Sequence, residues 1–351
     1  MNKEQQDREY GTMTLNSITR RGWFAGALAA VAMMLGGAAA AQSTMKLASA
    51  TINDVQHEWQ KEFAKEMAAR VGDAVTVEIY PASQLGAIPR MSEGVLLGTI
   101  EAFTTPTSFM TNVDGRFQAF DLPGLFMDAD EVAAVIHDPE FRDYLETLFL
   151  NKGLRVIGAI YNSPTLLLSR EPVADLDAFQ GLKVRTFASP LQMEPMKMLG
   201  ANPTPLALSE VMPQLQSGGI DGMLAGMPIL TAFKFYDAAE NVTDLNLSQL
   251  ISVTLVNEFW FAEQTEEVRE AIIAAGRAAE QTVFPWGVQN VERANAAWTE
   301  AGGKINRLPD DQQAEMMQGF VELGSSLIVD QADVVDVHDR ISAILQARRG
   351  K

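Results

Sequence analysis

Residues 181–222 read GLKVRTFASPLQMEPMKMLGANPTPLALSEVMPQLQSGGIDG, and this stretch decides the architecture. Leu182, Val184 and Thr186 alternate with Lys183 and Arg185, the period of two that a strand requires. A helix-compatible segment follows, then a proline-bounded turn, then a serine-capped helix closed by Gly218-Gly219. An arginine at a strand end between two lobes suits capture of a carboxylate, because guanidinium is a planar fork of donors. The pattern points to a small-molecule receptor more than to an enzyme.

The flanking sequence alternates strands and helices. Met45 to Ala50 predicts a strand. Asn53 or Asp54 caps a helix running to about Arg70, with Val55, Trp59, Phe63 and Met67 along one face. Val75, Val77 and Ile79 alternate into a second strand, Pro89 to Leu97 reads as a helix, and Glu101 to Phe103 as a short strand. That order is the signature of an α/β lobe. Phe120 to Phe126 is a hydrophobic loop suited to packing between helices, and Asp130 to Asn151 reads as mostly helical. Arg155 to Tyr161 and Leu166 to Ser169 read as two strands around an Asn162-Ser163-Pro164 turn. Ile251 to Phe261 is strand-like, rich in β-branched and aromatic residues. Thr265 caps a long helix carrying Val268, Ile272, Ala275 and Ala279 on one face. It continues toward Trp298 with a kink expected near Pro285. Helices at Asp310–Val329 and Asp330–Ala347 complete the chain.

Composition narrows the function. Residues 1–41 read as an export signal: Arg20-Arg21, then an apolar run from Ala25 to Leu35, then the small residues Ala38 to Ala41. Thr19 to Phe24 resembles a twin-arginine signal, with Trp23 where that pattern usually has Phe, and an ordinary secretory signal is the alternative. Both place the protein in the periplasm. Lys3, Arg8, Arg20 and Arg21 against Glu4, Asp7 and Glu9 leave this segment net positive by one. The whole chain carries −18, so the remainder carries −19, which argues against nucleic-acid or anionic-membrane partners. There is no cysteine and there are only three histidines, His57, His137 and His338, far apart. Disulfides and thiolate chemistry are excluded, and no metal site or cofactor is expected.

Taken in order, GLKVR, SP, LGANPTPL, SEV and LQSGGIDG, with YPASQLG, GVLLGTIEAF, FDLPGLF, FYDAAENVT and EEVREAI, resemble the solute-binding proteins of tripartite ATP-independent periplasmic (TRAP) transporters. The resemblance covers roughly Met45 to Leu308. It implies a periplasmic-binding-protein-like α/β fold: two lobes with mixed sheets, a ligand cleft between them, and a long lobe-spanning helix. We expect lobe I at 44–161 plus 251–290 and lobe II at 162–250 plus 291–351. The resemblance implies that the protein captures a small organic acid, that Arg185 holds its carboxylate, and that an integral membrane permease driven by an ion gradient accepts the closed form. A monomer or a dimer is compatible with it. The alternatives are a sensing receptor on the same fold, feeding a sensor kinase or chemoreceptor, and an exported enzyme, for which no nucleophile–base pair or metal cluster is evident.

Other cleft candidates are His57 at the start of the first helix; Thr105, Thr107 and Ser108 after the third strand; and Tyr161 and Asn162 at the lobe crossing. Each has a plain structural alternative as a surface, capping or packing residue. Arg170 is either a second anion contact or an exposed strand-end residue. Trp260 and Phe259 wall the cleft or fill the core. Arg185 itself has the alternative of pairing with a nearby Asp or Glu. Two positions depart from the family pattern. Ala225 stands where acid-binding members often carry Asn, and Pro164 where some carry a second Arg. A less polar pocket follows, and with it a monocarboxylate with an apolar or aromatic body.

Overall fold

The computed structural model describes residues 43–350, so the expected export signal lies outside it. The first elements are β1 (Ser43–Ser49), α1 (Val55–Val71), β2 (Val75–Tyr80), α2 (Ile88–Leu97) and β3 (Ala102–Pro106). Next come α3 (Ala129–Ile136), α4 (Pro139–Thr147) and the long β4 (Leu154–Ser169). The stretch quoted above forms β5 (Lys183–Thr186), α5 (Pro190–Met198), β6 (Asn202–Pro205) and α6 (Leu208–Ser217). It leads into β7 (Gly222–Ala225), α7 (Met227–Ala232) and β8 (Asn241–Asn257). The chain ends with α8 (Glu258–Glu263), α9 (Glu266–Glu300), β9 (Lys304–Arg307), α10 (Asp310–Ile328) and α11 (Ala332–Arg349). Among the described residues no helix is long and apolar enough to cross a membrane.

The strands form one mixed sheet in the order β2-β1-β3-β8-β4-β7-β5-β6, with β9 beside β8. Only β4 and β8 belong to both halves. Residues 154–161 of β4 pair with 251–257 of β8 beside β3, whereas 166–169 pair with 241–244 beside β7 and β9. Each half is clad on both faces, as the side-chain period of two demands. In the first half Met45 and Leu47 point to the α1 and α9 side, and Ala48 to the other. In the second half Leu166 and Leu168 enter one core while Leu167 enters the opposite one.

Helix α9 joins the two halves. Thr265 caps it by accepting from the Val268 N–H at 3.3 Å. Ile272, Ala275 and Ala279 pack in the first half, and Ala294 and Trp298 in the second. A Cβ at Gly276 would run into the Ile157 carbonyl, so this glycine lets the helix lie directly on β4. The helix continues through Pro285 as a single element of 35 residues, roughly 50 Å at helical rise.

Asp130 to Asn151 is mostly helical, as expected, and divides in two because Asp138 caps a new helix by accepting from the Phe141 N–H at 2.9 Å and Pro139 opens it. Two other expectations need correction. Asn162-Ser163-Pro164 is no turn; β4 passes straight through, absorbing Pro164 with register shifts on either side. The strand at Ile251 begins ten residues earlier, at Asn241, and stops at Asn257, whose side chain caps α8. The expected grouping of 291–351 with the second lobe also meets a packing fact. Val334, Val337, Ile341 and Leu345 of α11 join the first half's core, and Arg349 donates to Glu131 of α3 at 2.7 Å.

Candidate functional site

Where β4 and β8 pass between the halves, a small cavity of about 30 Å³ is walled from both sides. The first half supplies Thr51, Gln56, Ile88, Thr104 and Phe109; the second supplies Arg185, Phe187, Leu208, Ala225 and Ile229; Asn162 and Leu250 come from the crossing strands.

Arg185 dominates it. The side chain is 2% exposed on β5, where its neighbour Lys183 faces out and its carbonyl accepts from the Asp221 N–H at 2.7 Å. Arg185 Nε donates to the Leu206 carbonyl at 3.0 Å and Nη1 to the Leu224 carbonyl at 2.9 Å. The guanidinium carbon lies 4.9 Å from the Phe187 ring centre and 5.5 Å from that of Phe109. These rings meet edge-on across the two halves at 5.5 Å. Cation–π attraction stabilises the charge but does not neutralise it. Burial alone lowers the guanidinium pKa to about 10, and no carboxylate offsets that. The group remains a cation at neutral pH, and the expected alternative, pairing with an Asp or Glu, finds no partner among the described residues.

The other sequence candidates separate clearly. Asn162 lines the cavity with Arg185. Tyr161 is buried beside Phe284 and donates its hydroxyl to Gln249 Oε1 at 3.3 Å. Thr105, expected after the third strand, lies within it, because β3 runs on to Pro106; Thr104 and Pro106 face the cavity and Thr105 does not. Thr107 donates to the Ile251 carbonyl at 3.3 Å, and Ser108 to Asp121 at 2.6 Å. His57 Nδ1 accepts from the Asn53 N–H at 3.2 Å, at the rim of α1 and away from the cavity wall. Arg170 is half-exposed and lies 3.9 Å from Asp221, so it is a strand-end residue. Trp260 packs against the α1 and α9 core, and Phe259 is 75% exposed.

Sequence reasoning missed Gln56, Thr51 and Phe187. A signal existed for two of them. Gln56 and Gln60 are spaced one turn apart beside the apolar stripe of α1, and both are buried. Phe187 is two residues beyond Arg185 and therefore on the same side of the strand. Ala225, noted as a departure, does line the wall, whereas Pro164 does not.

The chain is similar to several known proteins along most of its length. The chain is 25% identical over 319 residues to the 2,3-diketo-L-gulonate-binding periplasmic protein of Escherichia coli K12, covering 91% of this chain and 89% of that protein. It is 30% identical over 241 residues to a solute-binding protein of Verminephrobacter eiseniae, covering 68% and 72% respectively. The structure of a TRAP periplasmic solute binding protein from Desulfovibrio salexigens with bound orotic acid matches with a TM-score of 0.80 at 20% identity. That match covers 88% of this chain and 98% of the other, and it shares the two-lobed α/β fold with its spanning helix. Residues 48–327 match the family described as bacterial extracellular solute-binding protein, family 7, and the chain belongs to that family.

Proposed function

We propose that this protein is the periplasmic receptor of a TRAP-type transporter, that it captures a small organic monocarboxylate on Arg185, and that it delivers this acid to a membrane permease. One observation carries the reading: a cation 98% withdrawn from solvent with no anion of the protein beside it. A buried unpaired charge costs several kcal/mol, on the order of the attraction a bound carboxylate would return. The relatives named above bind 2,3-diketo-L-gulonate and orotic acid, both acids, which supports the ligand class. The single cationic group and the mostly apolar wall favour one carboxylate and an apolar body over a dicarboxylate.

The proposal includes a division into a first lobe of 44–161 with 251–290 and a second of 162–250 with 291 onward. On packing, α11 is counted with the first. It also includes residues 1–41 as a twin-arginine-type export signal, supported by Arg20-Arg21 ahead of the apolar run. The protein acts as a receptor and not as an enzyme.

The test is a thermal-melt and calorimetry comparison of monocarboxylates with their primary amides. A ligand at 100 times its Kd should add about 2.7 kcal/mol of stability. The acid should bind and the amide should not. An amide that binds as well as its acid sinks the carboxylate reading. Strong binding confined to dicarboxylates would leave it standing and discard the apolar-body refinement.

A further inference from the structure

Away from the crossing strands, residues 107–121 of the first half meet residues 187–191 of the second. The Phe109 and Phe187 rings meet edge-on. Thr111 Oγ1 donates to the Ala188 carbonyl at 3.4 Å. Asp121 is 3% exposed and accepts from Ser108 Oγ at 2.6 Å, and the hydroxyls of Ser189 and Thr107 act on the same carboxyl. Helix α5 starts at this junction. Its Leu191 enters the first half's core, while Met196 and Leu199 enter the second's. Ser189 is wholly buried, a hydroxyl of the second half set against a carboxyl of the first.

Cargo cannot reach Arg185 while this junction stays shut. A cavity of 30 Å³ holds about two waters. An organic solute must therefore part the halves, and the junction borders the cavity because Phe109 and Phe187 line both. Parting them there hands Asp121 to water.

Burial is the largest influence on this carboxyl and pushes its pKa up to about 7, while the three hydroxyls pull it down and do not cancel that rise. No charged side chain shifts it. The charges on the surrounding elements are engaged elsewhere. Arg116 grips Asp114 at 2.6 Å, Glu194 and Lys197 of α5 pair at 2.6 Å, and Arg349 grips Glu131 at 2.6 Å. Glu315 and Glu322 of α10 are exposed. His338 of α11, beside Leu122 and Leu125, contacts Asp339 and Ser342 at 3.1 Å each. Exposure to water removes the larger influence on Asp121, so its pKa falls as the halves part. The covered arrangement then binds a proton that the parted one releases. Its advantage is full near the ordinary carboxyl range and is lost as pH rises through about 7.

We propose that Asp121 is a proton-linked clasp between the halves: protonated, it favours their closure against Ser189, and deprotonated, it favours their separation. Opening is thereby tied to pH, whatever Arg185 holds.

The chain contains no cysteine, so two introduced ones can be labelled cleanly. Lys65 of α1 and Gln216 of α6 are exposed on opposite halves. The experiment is double electron–electron resonance on ligand-free Lys65→Cys/Gln216→Cys protein, spin-labelled at both sites, from pH 5 to pH 8. The ratio of short to long label distances should fall about tenfold or more over that range. In an added Asp121→Asn background the ratio should stay constant. A distance that does not move with pH overturns the proposal. So does a pH response that survives Asp121→Asn, which would assign it to another group such as His338. Ser189→Ala supplies a second check if Asp121→Asn fails to fold. It removes a partner that lowers the pKa, so the midpoint of the distance change should move to higher pH. An unmoved midpoint in a folded Ser189→Ala protein also overturns the clasp.

Discussion

Arg142 and Arg185 are buried to the same degree, each 2% exposed, and they are held in opposite ways. Arg142, on α4, lies 3.0 Å from Glu280 of α9, and the same carboxylate accepts from the Ala159 N–H at 2.7 Å. Burial raises the Glu280 pKa while Arg142 pulls it down. There the protein supplies both charges, and the pair pins the long helix to β4. At Arg185 it supplies carbonyls and aromatic rings but no anion. A buried cation that serves the fold arrives with its counterion. On the reading proposed above, Arg185 leaves its counterion to come from outside.

The contrast can be broken by substitution. Arg142→Ala strands Glu280 and should destabilise the protein by ~3–5 kcal/mol in urea unfolding. A loss below ~1 kcal/mol would put the pair on a par with a surface ion pair and dissolve the contrast. Arg185→Met leaves no acid stranded. It should weaken acid binding by ~2–5 kcal/mol without the loss of ligand-free stability expected of Arg142→Ala, because relief of the unpaired charge offsets the lost bonds to the Leu206 and Leu224 carbonyls. A loss of stability as large as that of Arg142→Ala would make Arg185 a residue of the fold.

Asp121 sharpens the picture as a third kind of buried charge, an acid with only hydroxyl partners. It accepts from Ser108 at 2.6 Å, and burial pushes its pKa from 3.8 up to about 7, against the lowering by Ser108, Ser189 and Thr107. Its folded state therefore binds more protons than its unfolded state between pH 4 and 7. This group's contribution to stability is full below that window and falls as pH rises through it. Asp121→Asn should raise the melting temperature relative to the parent by an amount that grows from pH 4 to 7 and then levels off. A difference independent of pH would show that the carboxyl does not titrate there.

Arg185 was legible as the one arginine of a strand pattern inside the block that carries the family resemblance. The long helix was legible because its apolar face persists past Pro285. What escaped depends on contacts distant in sequence. Nothing local says that Asn162 to Pro164 continues a strand, since the partner that holds it there is β8, about ninety residues later. The strand at Ala102 runs on through Thr104 and Thr105 to Pro106 because β8 pairs with it, and the local sequence does not show that extension. Gln56 and His57 are adjacent polar residues at the start of α1, and only the packing of the helix shows that the amide and not the imidazole lines the cavity. The placement of α11 on the first half is likewise a tertiary choice, made by Val334, Val337 and Ile341 finding the core around α3.

The bare guanidinium has a consequence for traffic. With the two halves covering it, Arg185 is a lone positive charge, so on the reading proposed above an anionic cargo would stabilise the covered arrangement more than a neutral one, and cargo charge would set how much of the protein adopts it.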